Sequence, residues 1–341
     1  MTESKENQAE NRQKIVGVDI GYGFTKIKSD SQQFKFPAIV GQGEDLDFQS
    51  AILSDDELLN NLNVVIDNEK YFVGQMALRE SAFKEFTTNK DRSENKEMEI
   101  LTKTALSLLV KDNNTEFKVV TGLPVEDYTN QKESVIKTIK GELKVKFILN
   151  NKQFTKKAKV SECIVIPQPM GTFYNILIDF KDGQVKYNED FKEARIGIID
   201  PGHLTTDFIL IDQMKYVNRQ STSINVGLGE SLELIRKEFM SKYNRDIKDY
   251  EMLSHIENGY IKNKGERVSL DKYEEKFYQG LANEITSKAK RIWDVNGIDY
   301  IYVTGGAAQS LVDLIDLNLT KSNCLGQLSN VEGFYKAGQV I

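Results

Sequence analysis

Cysteine and histidine are scarce, with two of each in 341 residues. Cys163 and Cys324 lie 161 positions apart (324 − 163) and form neither a redox pair nor a metal-ligand spacing. A structural zinc site is all but excluded, and a reduced, cytoplasmic protein is expected. No apolar run approaches the roughly 20 residues that a membrane helix needs, so no membrane contact is expected. The opening MTESKENQAENRQK has no apolar core of a secretory signal and reads as a disordered tail over residues 1–14. A basic excess is missing too, since the formal net charge is −6. A broad face for gripping DNA needs the opposite balance, so no direct nucleic-acid binding is expected and any DNA would be held by another protein.

What is present, 40% hydrophobic and 28% charged residues, describes a soluble globular chain. Its length exceeds what one core comfortably serves, so two domains are expected. The most informative stretch is IVGVDIGYGFTKIKSD, residues 15–30, an apolar run into Asp19 with Gly21 and Gly23 beyond it. This pattern fits a hairpin whose turn lets a ligand approach the backbone closely. A second copy, IGIIDPGHLTTDFILID at 196–212, aligns without a gap. Asp200 falls on Asp19, Gly202 on Gly21 and Thr206 on Thr25, each 181 positions on (200 − 19).

A longer echo supports duplication. FKVVTGLP, 117–124, reads as a buried strand followed by a helix over about 128–140. ECIVIPQPMGTFYNILIDF, 162–180, reads as its counterpart in the second half, a strand broken at Pro167 and Pro169 and then an apolar helix. Alternating strands and helices imply one helix-covered sheet per half, facing across a cleft. Residues 32 to about 95 look like a small inserted subdomain, and 230–296 like a helical one. In VTGGAAQ a strand enters Gly305 and Gly306 directly before a helix, where a backbone can pass close to a flat ligand. SNVEGFYKAGQVI reads as a final helix from about Asn330.

Two such turns would cradle a polyphosphate between them. Asp19 and Asp200 would hold water ligands of a bridging Mg²⁺, and Lys26 would meet a β or γ phosphate. Gln168, at a strand-to-helix corner, suits the orientation of an attacking water, or is a surface residue of a proline turn. His203 can touch a phosphate or stay exposed. Gly227 and Gly229 either serve helix-start geometry or place Glu230 on ribose hydroxyls. Lys276 and Phe277 either sandwich a purine or are a solvated charge and a core aromatic.

DIGYGFTK, Gln168 in QPMGT, DPGHLTTD and VTGGAAQ resemble, in order, the phosphate-1, connect-1, phosphate-2 and adenosine motifs of the actin, heat-shock chaperone and sugar kinase superfamily. FPAIVG, TGLPVEDY, VIPQPMGT, VTGGA and SNVEGFYKAG look like bacterial actin-like ParM proteins of plasmid segregation, particularly those of Gram-positive hosts. The resemblance implies an actin-like, duplicated ribonuclease H-like α/β fold of two domains around a nucleotide cleft. Domain I would span 15–160 plus a C-terminal helix at about 329–341, and domain II 161–328. It also implies an ATPase, using ATP or GTP with Mg²⁺, that polymerises with itself and engages a DNA-bound ParR-like adaptor.

Asp19, Gly21, Gly23 and Lys26 match phosphate-1, and Tyr22, Phe24 and Thr25 complete that turn. Asp200, Gly202 and Thr205 match phosphate-2, which includes Leu204. Gln168 matches the water-positioning residue, and Gly305, Gly306 and Ala307 the nucleoside loop. Pro201 and His203 depart from the family pattern. The alternatives are a monomeric small-molecule kinase of the same superfamily and an MreB-like cytoskeletal actin. Chaperones of the superfamily carry a further peptide-binding domain for which 341 residues leave no room.

Overall fold

The computed structural model describes residues 13–46, 57–86, 96–149, 152–181 and 183–341. The first-half elements are β1 (Lys14–Ile20), β2 (Phe24–Lys28), β3 (Gln33–Pro37), β4 (Ile39–Gln42), α1 (Glu57–Asn60), β5 (Leu62–Ile66) and β6 (Glu69–Val73). There follow α2 (Gln75–Glu80), β7 (Lys84–Phe86), α3 (Lys96–Leu108), β8 (Thr115–Leu123), α4 (Val125–Ile139), β9 (Gly141–Leu149), β10 (Lys152–Pro167) and α5 (Gln168–Leu177). The second half has β11 (Ile178–Lys181), β12 (Gln184–Tyr187), β13 (Arg195–Pro201), β14 (Thr206–Asp212), β15 (Lys215–Tyr216), β16 (Thr222–Ile224), α6 (Leu228–Tyr243) and α7 (Asp249–Asn258). It closes with β17 (Tyr260–Asn263), β18 (Glu266–Ser269), α8 (Asp271–Ile292), β19 (Tyr300–Val303), α9 (Ala308–Val312) and α10 (Ser329–Gly338).

Each half is built on its own sheet. The first has ten strands in the order β3-β2-β1-β8-β10-β9-β5-β6-β4-β7, and the second has five, β15-β14-β13-β19 with β16 on β14. The expected duplication is visible in the pairing. β1 runs antiparallel to β2 and parallel to β8, and β13 runs antiparallel to β14 and parallel to β19. Val16, Val18, Val119 and Val120 are fully buried in the first sheet, as are Ile196, Ile198, Ile199 and Phe208 in the second. Such β-branched runs are what strands buried on both faces require.

Two expectations are corrected. β1 begins at Lys14, so pairing with β8 claims a residue assigned to the tail, while residues 1–12 lie outside the described residues. ECIVIP does not open the second domain: it is the end of β10, paired in parallel with β8 over Glu162–Pro167, and a boundary at 161 would cut that strand. The true counterpart of β8 is β19. The inserted strands β5 and β6 extend the first sheet, because β5 pairs with β9. The part of that insertion at 47–56 and 87–95 lies outside the described residues. The helical subdomain carries a hairpin, β17–β18, which turns through Lys264 and Gly265, both at positive φ.

α10 returns the C-terminus to the first domain. It lies in a bed of glycines, where a Cβ on Gly17 would meet the Val331 carbonyl at 2.4 Å and one on Gly122 the Phe334 ring at 2.4 Å. Phe334 and Ala337 are fully buried there with Val120.

Candidate active site

The two glycine turns close identically. Gly21 N–H donates to Phe24 O at 3.0 Å, and Gly202 N–H donates to Thr205 O at 2.8 Å. Strand register then sets Asp19 opposite Lys26 and Asp200 opposite Asp207. Both turns open into one cleft, the kind of concave site in which small molecules bind. Gly21, Tyr22, Gly23, Phe24 and Lys26 line it from the first domain. Asp200, Pro201, Gly202, His203 and Thr205 line it from the second, with Gly305, Gly306 and Ala307 beside them. Gln168, at the corner between β10 and α5, lies between the two turns.

Charge is concentrated at the floor. Asp19 is 2% exposed; its Oδ2 accepts from Lys26 Nζ at 3.0 Å and its Oδ1 from Gln168 Nε2 at 3.2 Å. Asp200 is 6% exposed and its Oδ2 accepts from Asn330 Nδ2 at 2.7 Å. Its carboxyl is pushed up to about 6, by burial first and by the nearby Asp19 charge, against the Asn330 donation and Lys26. Gly305, at φ 95°, sits where a side chain is strained, and a Cβ there would also press on Asp200 Oδ1 and Pro201 O at 3.2 Å.

The second turn is seated on α6. Leu228 N–H donates to Gly202 O at 3.0 Å and Gly229 N–H to His203 O at 2.8 Å. A Cβ on Gly227 would meet the carbonyl oxygens of His203 and Gly202 at 2.6 and 2.7 Å. Gly227 is thus required by close packing of helix on turn. Glu230 and Leu204 line an adjoining recess with His203. Thr25 is fully buried behind the first turn, and its Oγ1 has no hydrogen-bond partner.

Lys276 is a correction. It does not reach the cleft, because α8 turns it outward, where it pairs with Glu238 and lies 4.7 Å from the centre of the Phe277 ring. Two positions on from Lys276, Tyr278 faces the cleft instead, with Leu228, Leu232 and Ile256. Two steps along a helix rotate a side chain by about 200°, so the helix was right and its phase was not. Tyr278 is fully buried and its hydroxyl has no hydrogen-bond partner. The recess these residues form beside Gly305 suits a flat, largely apolar group. Sequence reasoning also missed Asn330, Gln327 and Asp207; Asp207 Oδ1 accepts from Val125 N at 3.1 Å and ties the turn to α4.

The donor set suits a nucleotide with Mg²⁺. Among the described residues no group of three or more His, Cys, Asp or Glu could hold a metal alone. Asp19 and Asp200, near enough that the Asp19 charge pushes up the Asp200 carboxyl, supply the one or two carboxylates that Mg²⁺ uses when water and phosphate complete its shell.

A family model described as the N-terminal domain of actin-like proteins matches residues 17–171. One described as the MreB-like C-terminal domain of archaeal actin homologues matches residues 198–316. The fold and these two matches define the class: the chain carries actin-like domains in the actin-like two-domain fold.

Within that class it is similar to the ParM of a 15-stranded filament from Clostridium botulinum, at 25% identity and a TM-score of 0.78 over 97% of this chain and 100% of that one. The apo pSK41 ParM structure aligns at 22% identity and a TM-score of 0.68, covering 96% of this chain and 97% of that one. The archaeal actin homologue Ta0583 in complex with ADP aligns at 17% identity and a TM-score of 0.75, covering 96% and 99%. No curated protein sequence matches the chain.

Proposed function

We propose that the chain is a nucleoside triphosphatase that assembles into filaments with ATP and Mg²⁺, hydrolyses the nucleotide after assembly, and moves plasmid DNA through a DNA-bound, ParR-like adaptor. The observation that carries this reading is the pair of matched turns, with Lys26, Gln168 and Asp200 lining one cleft and Asp19 bonded to Lys26 and Gln168. The amides inside the two turns, beyond the Gly21 and Gly202 N–H groups that close them, would bind the phosphates from two sides, and the recess at Tyr278 and Gly305–Ala307 would take the base. Gln168, held by Asp19, would orient water toward the terminal phosphate. Mg²⁺ would be held by Asp200 and, through water, by Asp19, neutralising charge on the phosphates. Either purine nucleotide is compatible with a recess of this kind.

Assembly is supported by the likeness to a filament-forming ParM. The adaptor is what the resemblance to ParM implies, and it suits a net charge of −6, which makes this chain a poor DNA ligand. No helix of the described residues is long and apolar enough to cross a membrane, which agrees with assembly in the cytoplasm.

Sedimentation and light scattering with and without ATP and Mg²⁺ test the proposal. Assembly above a critical concentration and phosphate release that depends on Asp200 are expected. A protein that consumes ATP only with a small acceptor, and never sediments, would instead be a monomeric kinase.

A further inference from the structure

Asn330 is the second residue of α10 and is 6% exposed. Its amide orientation is unambiguous. Oδ1 accepts from the Thr172 backbone N–H at 3.2 Å, a group that can only donate, and from Thr172 Oγ1 at 2.7 Å. Nδ2 therefore faces Asp200 and donates to its Oδ2 at 2.7 Å. Thr172 Oγ1 in turn lies 3.2 Å from Thr304 Oγ1, at the entrance to the Gly305–Gly306 loop. All four residues are buried, Thr172 completely. One side chain on the C-terminal helix thus joins α5, the end of β13 and the loop after β19.

Asn330 has no room to retreat. A Cβ on Gly171 of α5 would meet the Asn330 carbonyl at 2.5 Å, and one on Gly333 would meet Gly171 O at 1.6 Å. Helix, amide and carboxylate are locked in series. Asp200 Oδ2 is taken by Asn330, while Oδ1 stands beside Gly305.

We propose that Asn330 is a positioning residue for nucleotide hydrolysis, holding the Asp200 carboxylate in its cleft-facing orientation, with Thr172 fixing the direction of the Asn330 amide. Its role runs through Asp200, to which its Nδ2 donates. The inference rests on the hydrolysis reading above. Its signature is a loss in turnover without a matching loss in nucleotide affinity, because the base recess and both turns stay intact.

The test compares wild type with Asn330→Asp, which keeps the shape but replaces the donor, and with Asn330→Ser, which buries no second charge if the first variant fails to fold. Thr172→Ser keeps the orienting hydroxyl and Thr172→Val removes it. Each folded variant is assayed for phosphate release at saturating MgATP and for affinity toward a fluorescent ATP analogue. We expect turnover to fall by about tenfold or more in the Asn330 variants with affinity held within about threefold. Thr172→Ser retains activity within about twofold, and Thr172→Val loses more of it. Turnover near wild type in a folded Asn330 variant, or turnover and affinity falling together, overturns the proposal. Wild-type protein that binds ATP without hydrolysing it overturns the parent reading, and this inference with it.

Discussion

A Cβ added to Gly333 of α10 would lie 1.6 Å from the carbonyl oxygen of Gly171 on α5. No rotamer relieves such a contact, because both partners are backbone, so the helices must part. α10 carries Asn330 and Phe334 against the site and the first sheet, and parting would unseat both. Gly333→Ala is expected to cost more than about 3 kcal/mol. Urea unfolding measures it, and a loss under about 1 kcal/mol would show that the crossing can relax.

The Lys26–Asp19 pair, 3.0 Å apart with side chains 11% and 2% exposed, gives a second prediction. Removing only the lysine leaves a buried carboxylate with Gln168 as its one remaining side-chain partner among the described contacts. Lys26→Met should destabilise the protein by about 3–5 kcal/mol, whereas Lys26→Met with Asp19→Asn should recover much of that. Strictly additive losses in the double-mutant cycle would rule out this coupling.

The parts of this architecture that were legible in the sequence are those written in local grammar. Two Asp-x-Gly turns 181 positions apart (200 − 19) announce two hairpins, and Gly305–Gly306 before a helix announces a loop. What stayed hidden depends on partners distant in the chain. The β10 strand looked like the start of the second domain because nothing local says that ECIVIP pairs with β8. Which residue of α8 faces the cleft, Lys276 or another, stayed hidden because helix phase is set by packing against α6. Asn330 looked like a helix start, since its partners Thr172 and Asp200 lie 158 and 130 positions away.

Gln168 supplies the third prediction, one specific to hydrolysis. Its Nε2 is tethered to Asp19 at 3.2 Å, so its carbonyl oxygen is left to accept from a water in the cleft. Gln168→Ala should retain ATP binding and ATP-driven sedimentation while phosphate release slows by about a hundredfold. Filaments that persist longer after ATP addition are the expected accompaniment. Equal hydrolysis rates in variant and wild type would remove Gln168 from the mechanism.

Asp200 carries the last prediction, in which function and stability oppose each other. Its carboxyl moves from the ordinary 3.8 to about 6 in the folded chain. Between those values the folded chain keeps a proton that the unfolded chain has released. Stability therefore falls as pH rises through that window, and the deficit is complete above about pH 6. Its size is at most about 3 kcal/mol. Asp200→Asn abolishes the titration yet keeps an oxygen able to accept from Asn330 Nδ2. The nucleotide-free variant should be more stable than wild type by about 1–3 kcal/mol at pH 7 and show no such advantage near pH 4, while losing nucleotide turnover. Urea midpoints at the two pH values decide it, and a variant with the same advantage at both would mean that burial of this charge is not what the fold tolerates for the sake of the site.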